Sequence, residues 1–139
     1  MVKPDVVRRK TVRAAAWLDD AEGILSRSPG EFLSDTKNRD LASFYLFLAI
    51  QECIDLAAHW VSDHGWGSPD DAGSAFDILA NRQAIERELA GRLRGAVGLR
   101  NLIAHGYSDV NHARVQGEYK EGIAALRRFL TVVATEAGL

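Results

Sequence analysis

Residues 100–107, Arg100-Asn101-Leu102-Ile103-Ala104-His105-Gly106-Tyr107, bring an arginine, a histidine and a tyrosine together in one short stretch. Arginine supplies a permanent planar cation whose fork matches phosphate oxygens. Histidine exchanges a proton near neutral pH, and tyrosine carries a hydroxyl on a rigid stalk. These are parts for handling a phosphate. Arginine with histidine, and no carboxylate metal ligands beside them, suits metal-independent cleavage of RNA. There the 2′-hydroxyl attacks the neighbouring phosphate, histidine moves the proton, and arginine stabilises the charge that develops on phosphorus. An arginine and a histidine at this spacing also recur by chance, and on chemistry alone a surface histidine is the plainer reading.

The spacing sets a condition on the elements that hold these residues. Arg100 and His105 are five positions apart, so an unbroken helix points them about 140° from each other. They converge only if the helix ends or distorts between them, or if a symmetry-related copy completes the site. Gly106, directly after His105, favours a helix end there. Tyr107, seven positions from Arg100, shares its face only if the helix continues.

The helix that leads into the motif is expected over residues 83 to about 105. Ile85, Leu89, Leu93, Ala96 and Ile103 fall on one face, and Arg100 projects onto the same apolar side, where an arginine is uncommon unless paired or lining a cleft. Gly91, Gly95 and Gly98 fall on the opposite side, with Leu102 close by. Each glycine costs a helix about 1 kcal/mol relative to alanine, so a stripe of them implies close approach of another helix, from this chain or from a second subunit. Arg82, Arg87, Arg92, Arg94 and Arg100 stand against Glu86 and Glu88, the most basic stretch of any length and one suited to a phosphate-binding surface.

The rest of the chain reads as helices with the right length to pack around it. A first helix spans residues 5 to about 27 and stops at Ser28-Pro29-Gly30, with Arg8, Arg9, Lys10 and Arg13 on a solvated face. Ser34 or Asp35 can cap a second, running to about residue 64. Leu41, Phe44, Tyr45, Leu48, Ile50, Cys53, Ile54, Leu56, Ala57, Trp60 and Val61 make it apolar over more than half its circumference, so it is central to a bundle or touches both core and partner. Asp55 and His59 lie one turn apart within it; a structural pair is the stronger reading over a metal or catalytic one, since no third ligand is spaced nearby. Residues 64–71 form a loop and residues 74–79 a short helix. After a turn with cap-forming residues at 108–111, a last helix runs from residue 112 to about 137, with Val115, Tyr119, Ile123, Leu126, Phe129, Leu130 and Val133 inward. No segment alternates convincingly as a strand. The expected fold is all-α, an antiparallel four-helix bundle with an additional short helix, forming a single domain over residues 1–139.

Bulk properties agree and exclude several classes. The 139 residues are 47% hydrophobic and 26% charged, which suits one folded core. With a net charge of −2 and an isoelectric point of about 6.1, binding of nucleic acid by bulk electrostatics is not expected; contact must be local or assembled by oligomerisation. One cysteine, Cys53, excludes an intramolecular disulfide and a cysteine-based zinc site, and its apolar setting implies burial. The N-terminal Met1-Val2-Lys3-Pro4-Asp5 is polar and lacks a signal-peptide core. Residues 41–61 carry Gln51, Glu52, Asp55 and His59 and make a poor membrane span. A cytoplasmic protein, with no membrane association, is expected.

The run Val97-Gly98-Leu99-Arg100-Asn101-Leu102-Ile103-Ala104-His105-Gly106-Tyr107 resembles the signature of the HEPN superfamily, and more narrowly the R-x4-H-x-Y pattern of HepT-like toxins. Gln51-Glu52-Cys53-Ile54-Asp55-Leu56-Ala57 with His59 is similar to that family's second helix, as is Ser68-Pro69 followed by Ala75-Phe76 and Leu79. The likeness covers most of the chain from about residue 40 onward. It implies a small helical protein, HEPN-like in fold, that forms a homodimer with the two motifs facing a shared cleft. It implies a metal-independent endoribonuclease toxin of a type VII toxin–antitoxin system, with RNA as substrate and no cofactor. Arg100 and His105 match the catalytic pair, and Asn101 a supporting position. Tyr107 matches the tyrosine that an MntA-like minimal nucleotidyltransferase antitoxin neutralises by transferring AMP from ATP.

Two other classes remain. A non-catalytic helical module could use Arg100 and His105 to grip a nucleotide or a nucleotidyltransferase partner. A purely structural bundle would hold Arg100 in an internal ion pair. The first is distinguished by RNA binding without cleavage, the second by an acidic partner for Arg100.

Overall fold

Apolar residues recurring at helical spacing produce six α-helices among residues 3–139, the part of the chain that the computed structural model describes. Met1 and Val2 of the polar N-terminal stretch lie outside it. The helices are α1 (Pro4–Leu25), α2 (Pro29–Ser34), α3 (Thr36–Asp63), α4 (Ser74–Asn81), α5 (Arg87–His105) and α6 (His112–Glu136), with a 3₁₀ turn at Tyr107–Asp109 between the last two. No strand occurs among the described residues.

Side-chain pairs fix the directions of the four long helices. Lys10 of α1 meets Glu52 of α3 at 3.2 Å, and Arg27, just after α1, meets Asp35, just before α3, at 3.1 Å, so the two helices run antiparallel. Asp19 pairs with Arg127 at 2.7 Å, while the Leu25 carbonyl accepts from Gln116, which makes α6 antiparallel to α1. Glu88–Arg128 at 3.1 Å and Arg92–Glu121 at 3.4 Å do the same for α5 and α6. The result is the expected antiparallel four-helix bundle.

Helix α3 is its axis and packs against all five other helices. By length and composition it is the one described helix apolar enough to cross a membrane; here its Ala49, Ile50, Cys53, Leu56, Ala57, Trp60 and Val61 form the centre of the core. Phe129 of α6 sits in that core with no exposed surface, edge-on to Phe76 at 5.2 Å between ring centroids and 6.5 Å from Trp60. Truncating it to alanine leaves a cavity that its neighbours cannot fill. We expect Phe129→Ala to cost about 3–5 kcal/mol in denaturant unfolding. Cys53 is fully buried, as expected, and burial pushes its thiol far above the ordinary range, so it is inert.

Three local expectations change. Ser28-Pro29-Gly30 does end α1, but it also starts α2: the Ser28 hydroxyl accepts from the Glu31 N–H at 3.3 Å and Pro29 occupies the first helical position. The bundle therefore carries two short helices, α2 and α4. Of the basic residues on α1, Lys10 is not solvated but reaches the nearly buried Glu52, which Arg13 also approaches at 3.7 Å. The helix into the motif starts at Arg87 rather than Gln83. Gln83 takes a left-handed φ of 60° and closes α4, with the Gln83 N–H bonded to the Ala80 carbonyl and the Ala84 N–H to the Leu79 carbonyl. This is a glycine position filled by glutamine, so the sequence does not announce it.

Asp35 caps α3 by accepting from the Asn38 N–H at 3.2 Å, and Asn111 caps α6 by accepting from Arg114 at 3.0 Å. These two caps start the helices that flank the motif. Asp55 is held by Gln51 at 3.1 Å and faces Lys10 at 3.8 Å, while His59 is exposed, so the proposed Asp55–His59 pair does not form.

Candidate active site

Helix α5 carries Arg100, Asn101 and His105 and is regular to its end. The Gly106 N–H donates to the Leu102 carbonyl at 2.8 Å, an ordinary helical bond. The helix thus stops after His105, not between the two residues, and Arg100 and His105 of one chain project about 140° apart. The helix end expected at Gly106 exists but does not bring them together. Gly106 itself has φ −150°, an extended value open to any residue. A Cβ there would lie 3.3 Å from the tip of the flexible Leu102 side chain and 3.6 Å from the Asp109 carboxylate, a tight position that a small shift of Leu102 relieves.

Arg100 is half-buried, and its Nε is enclosed with no hydrogen-bond partner. Its neighbours in the basic stretch are all occupied. Arg92 is bonded to Glu88 at 2.5 Å and pairs with Glu121, Arg94 binds Asp77, Arg87 donates to Asn81 at 2.8 Å, and Arg82 lies over Trp66 at 5.6 Å. The expected continuous phosphate-binding surface is therefore used up in holding α4, α5 and α6 together. Arg100 is what remains: among the described residues it has no acidic partner, which argues against a purely structural role. An enclosed, unsatisfied guanidinium N–H is costly unless something arrives to accept it. Asn101 and His105 are exposed.

Tyr107 is not on a continued α5 face. The 3₁₀ turn, closed by the Asp109 N–H to Gly106 carbonyl bond at 2.8 Å, swings it back against the start of α3. There its hydroxyl donates to Asp40 at 2.5 Å. Ser43, one turn further along α3, also meets the phenol and is buried. The His112 ring stands edge-on to it at 5.4 Å between centroids. Arg39 lies beside Asp40, 3.5 Å from its carboxylate. Desolvation first, and the Asp40 carboxylate second, raise the Tyr107 phenol above its ordinary value, so it stays protonated at neutral pH. Desolvation, followed by the nearby Arg39 cation, lowers His112, so it is held neutral; its Nδ1 is buried without a partner.

Arg39, Asp40, Ser43 and His112 were not singled out in the sequence. Asp40 lies 67 positions from Tyr107. The one local hint is the spacing of Arg39, Asp40 and Ser43 on the first turns of α3, which by itself says only that a polar strip faces one direction.

The outer face of α5 is open. A methyl group placed on Gly91, Gly95 or Gly98 would meet no atom within 4 Å, so no helix of this chain approaches the glycine stripe. Of the two expectations for it, packing within the chain is ruled out. Leu102 continues the stripe at 36% exposure, and on α3 Leu41 and Phe44 stand 38% and 53% exposed. Phe44 is one helical turn from Asp40, the partner of the Tyr107 hydroxyl.

Comparison with known proteins is consistent with these features. The family profile described as Ribonuclease HepT-like matches residues 16–133. The mRNA nuclease HepT of Shewanella oneidensis is 27% identical over 106 residues, covering 76% of this chain and 80% of that protein. The tRNA nuclease HepT of Aphanizomenon flos-aquae is 25% identical over 114 residues, covering 82% and 78%. Among solved structures, the tri-AMPylated Shewanella oneidensis HEPN toxin in complex with MNT antitoxin has the same fold, with a TM-score of 0.87, 23% identity, and coverage of 94% of this chain and 98% of that one. A toxin–antitoxin complex with AMP-PNP matches at a TM-score of 0.84 and 23% identity, covering 93% and 98%.

Proposed function

This chain belongs to the ribonuclease HepT-like family, and from that premise we propose that it is a cytoplasmic endoribonuclease toxin, held inactive by a nucleotidyltransferase antitoxin that attaches AMP to Tyr107. The observation that carries the reading is Arg100: a half-buried guanidinium with an enclosed, unpartnered N–H, on a helix whose other arginines are all engaged. RNA phosphate is the acceptor it lacks. His105, exposed at the helix end, takes the proton from the 2′-hydroxyl as that oxygen attacks the adjacent phosphorus. The 5′-oxygen leaves and is protonated in turn, giving a 2′,3′-cyclic phosphate and a 5′-hydroxyl. Arg100 stabilises the extra negative charge on phosphorus during the exchange, and Asn101, exposed beside it, has a supporting role.

The straight α5 helix makes a second subunit part of this mechanism. In a two-fold dimer formed over the glycine stripe, Leu102, Leu41 and Phe44, Arg100 of one chain meets His105 of the other. Exposed apolar side chains on α3 and α5 and the open glycine face support that arrangement, as does an acidic chain that can gather a positive cleft only by pairing its motifs. Among the described residues no group of three His, Cys, Asp or Glu side chains is placed to hold a metal ion.

Labelled RNA incubated with the purified chain in EDTA tests the reading. Cleavage with 2′,3′-cyclic ends is expected. RNA bound but left intact would instead support the non-catalytic module, and activity only with added divalent metal would remove the metal-independent mechanism.

A further inference from the structure

The Tyr107 hydroxyl does not simply face solvent. It is held by groups on α3 and α6, and their chemistry matches what an adenylyl acceptor needs. Asp40 accepts the phenolic proton in a 2.5 Å hydrogen bond. Arg39, next in sequence, places its Nε 3.5 Å from the same carboxylate oxygen, close enough for an ion pair but without hydrogen-bond alignment, so the buried N–H stays unsatisfied. The other groups that meet Tyr107 are less suited to take its proton. Ser43 is a neutral hydroxyl, and the His112 ring touches the tyrosine ring edge-on rather than through a hydrogen bond.

We propose that Asp40 is the proton acceptor for adenylyl transfer to Tyr107, and that the Arg39 guanidinium beside it meets the transferred phosphate. The proposal rests on Tyr107 being the modified residue. In the step, Tyr107 Oη attacks the α-phosphorus of ATP supplied by the nucleotidyltransferase. The Oη–P bond forms, the bond from the α-phosphorus to its β-bridging oxygen breaks, and pyrophosphate leaves with the electron pair. The phenolic proton passes to Asp40. A tyrosine is protonated at neutral pH, and here burial raises the phenol further, so the proton must leave as Oη attacks, and Asp40 is the base already in contact with it. Arg39, whose Nε is otherwise without a hydrogen-bond acceptor, gains one as negative charge builds on the α-phosphate. The toxin thus carries half of the machinery for its own neutralisation.

The test uses the full chain with an MntA-like nucleotidyltransferase and ATP, with AMP located by peptide mass analysis. Asp40→Asn keeps the size and the hydrogen-bond acceptor but removes the base. It is expected to lower kcat for transfer to Tyr107 about 100-fold or more with the KM for ATP nearly unchanged, and Asp40→Glu is expected to recover part of the rate. Arg39→Gln is expected to slow the same step. The half-exposed position of Asp40 at the start of α3 allows these changes without loss of fold, which circular dichroism checks. Transfer to Asp40→Asn at the wild-type rate would overturn the proposal while leaving Tyr107 modification intact. Equal slowing by Asn and Glu would mean a structural role and would overturn it too. A wild-type chain that takes AMP elsewhere, or not at all, would remove the modification reading and this inference with it.

Discussion

Replacing His105 with alanine is expected to reduce RNA cleavage about 100-fold to 10,000-fold, the usual worth of a positioned proton-transfer group, with no loss of thermal stability. Arg100→Ala is expected to cost about 100-fold to 1,000-fold, as removal of one donor to a developing oxyanion does. The stability half of the prediction follows from burial. His105 is exposed at the last position of α5, and Arg100 makes no hydrogen bond from its Nε and no ion pair among the described residues. Alanine at either position leaves α5 anchored by Leu89, Ala90, Leu93 and Val97. Arg100→Ala even removes an enclosed, unsatisfied donor, so a slight gain in stability is the expected sign. Arg100→Lys separates charge from geometry: lysine keeps the cation but loses the planar fork, and is expected to recover only a small part of the rate. The check is a pair of measurements, the cleavage rate on labelled RNA and the unfolding midpoint.

The second large effect is expected on α3, outside the motif itself. Phe44→Glu places a charge on the most exposed of the three apolar side chains Leu41, Phe44 and Leu102. In the free chain Phe44 is already half-exposed, so the fold loses little. In a dimer the carboxylate faces its own symmetry copy and an apolar surface, which costs desolvation and like-charge repulsion together. The variant is expected to elute as a monomer and to lose cleavage to the level of His105→Ala, although Arg100 and His105 are both present. A monomeric Phe44→Glu with full activity would show that one chain is sufficient. A dimer that survives the substitution would move the interface elsewhere.

Much of this was legible in the chain. The four long helices follow from apolar spacing, and the caps at Asp35 and Asn111 from residue type. The Arg100–Tyr107 motif stood out because it put phosphate chemistry at the end of the most basic helix. The angular conflict between Arg100 and His105 also followed from spacing alone, and a helix that stays regular to His105 sharpens it. What was not legible depends on contacts distant in sequence. Asp40 and Tyr107 meet only because the 3₁₀ turn folds the chain back onto α3, and nothing in residues 39–43 signals a partner 67 positions away. The basic stretch misled for a related reason: charge in a sequence does not say which charges are already neutralised, and Asp77, Glu88 and Glu121 claim two of the arginines. Gln83 hides a turn because a left-handed φ at glutamine is rare. The short helix α2 was read as a stop since serine and proline end one helix and begin another with the same residues.

The most direct test of the central claim mixes two inactive proteins. Arg100→Ala and His105→Ala proteins are purified separately, combined under conditions that allow subunits to exchange, and assayed on labelled RNA. If Arg100 of one chain works with His105 of the other, each mixed dimer regains one intact site, and random exchange is expected to restore about a quarter of wild-type activity. A mixture that remains as inactive as either parent, with exchange verified by mass, would contradict a site shared between subunits.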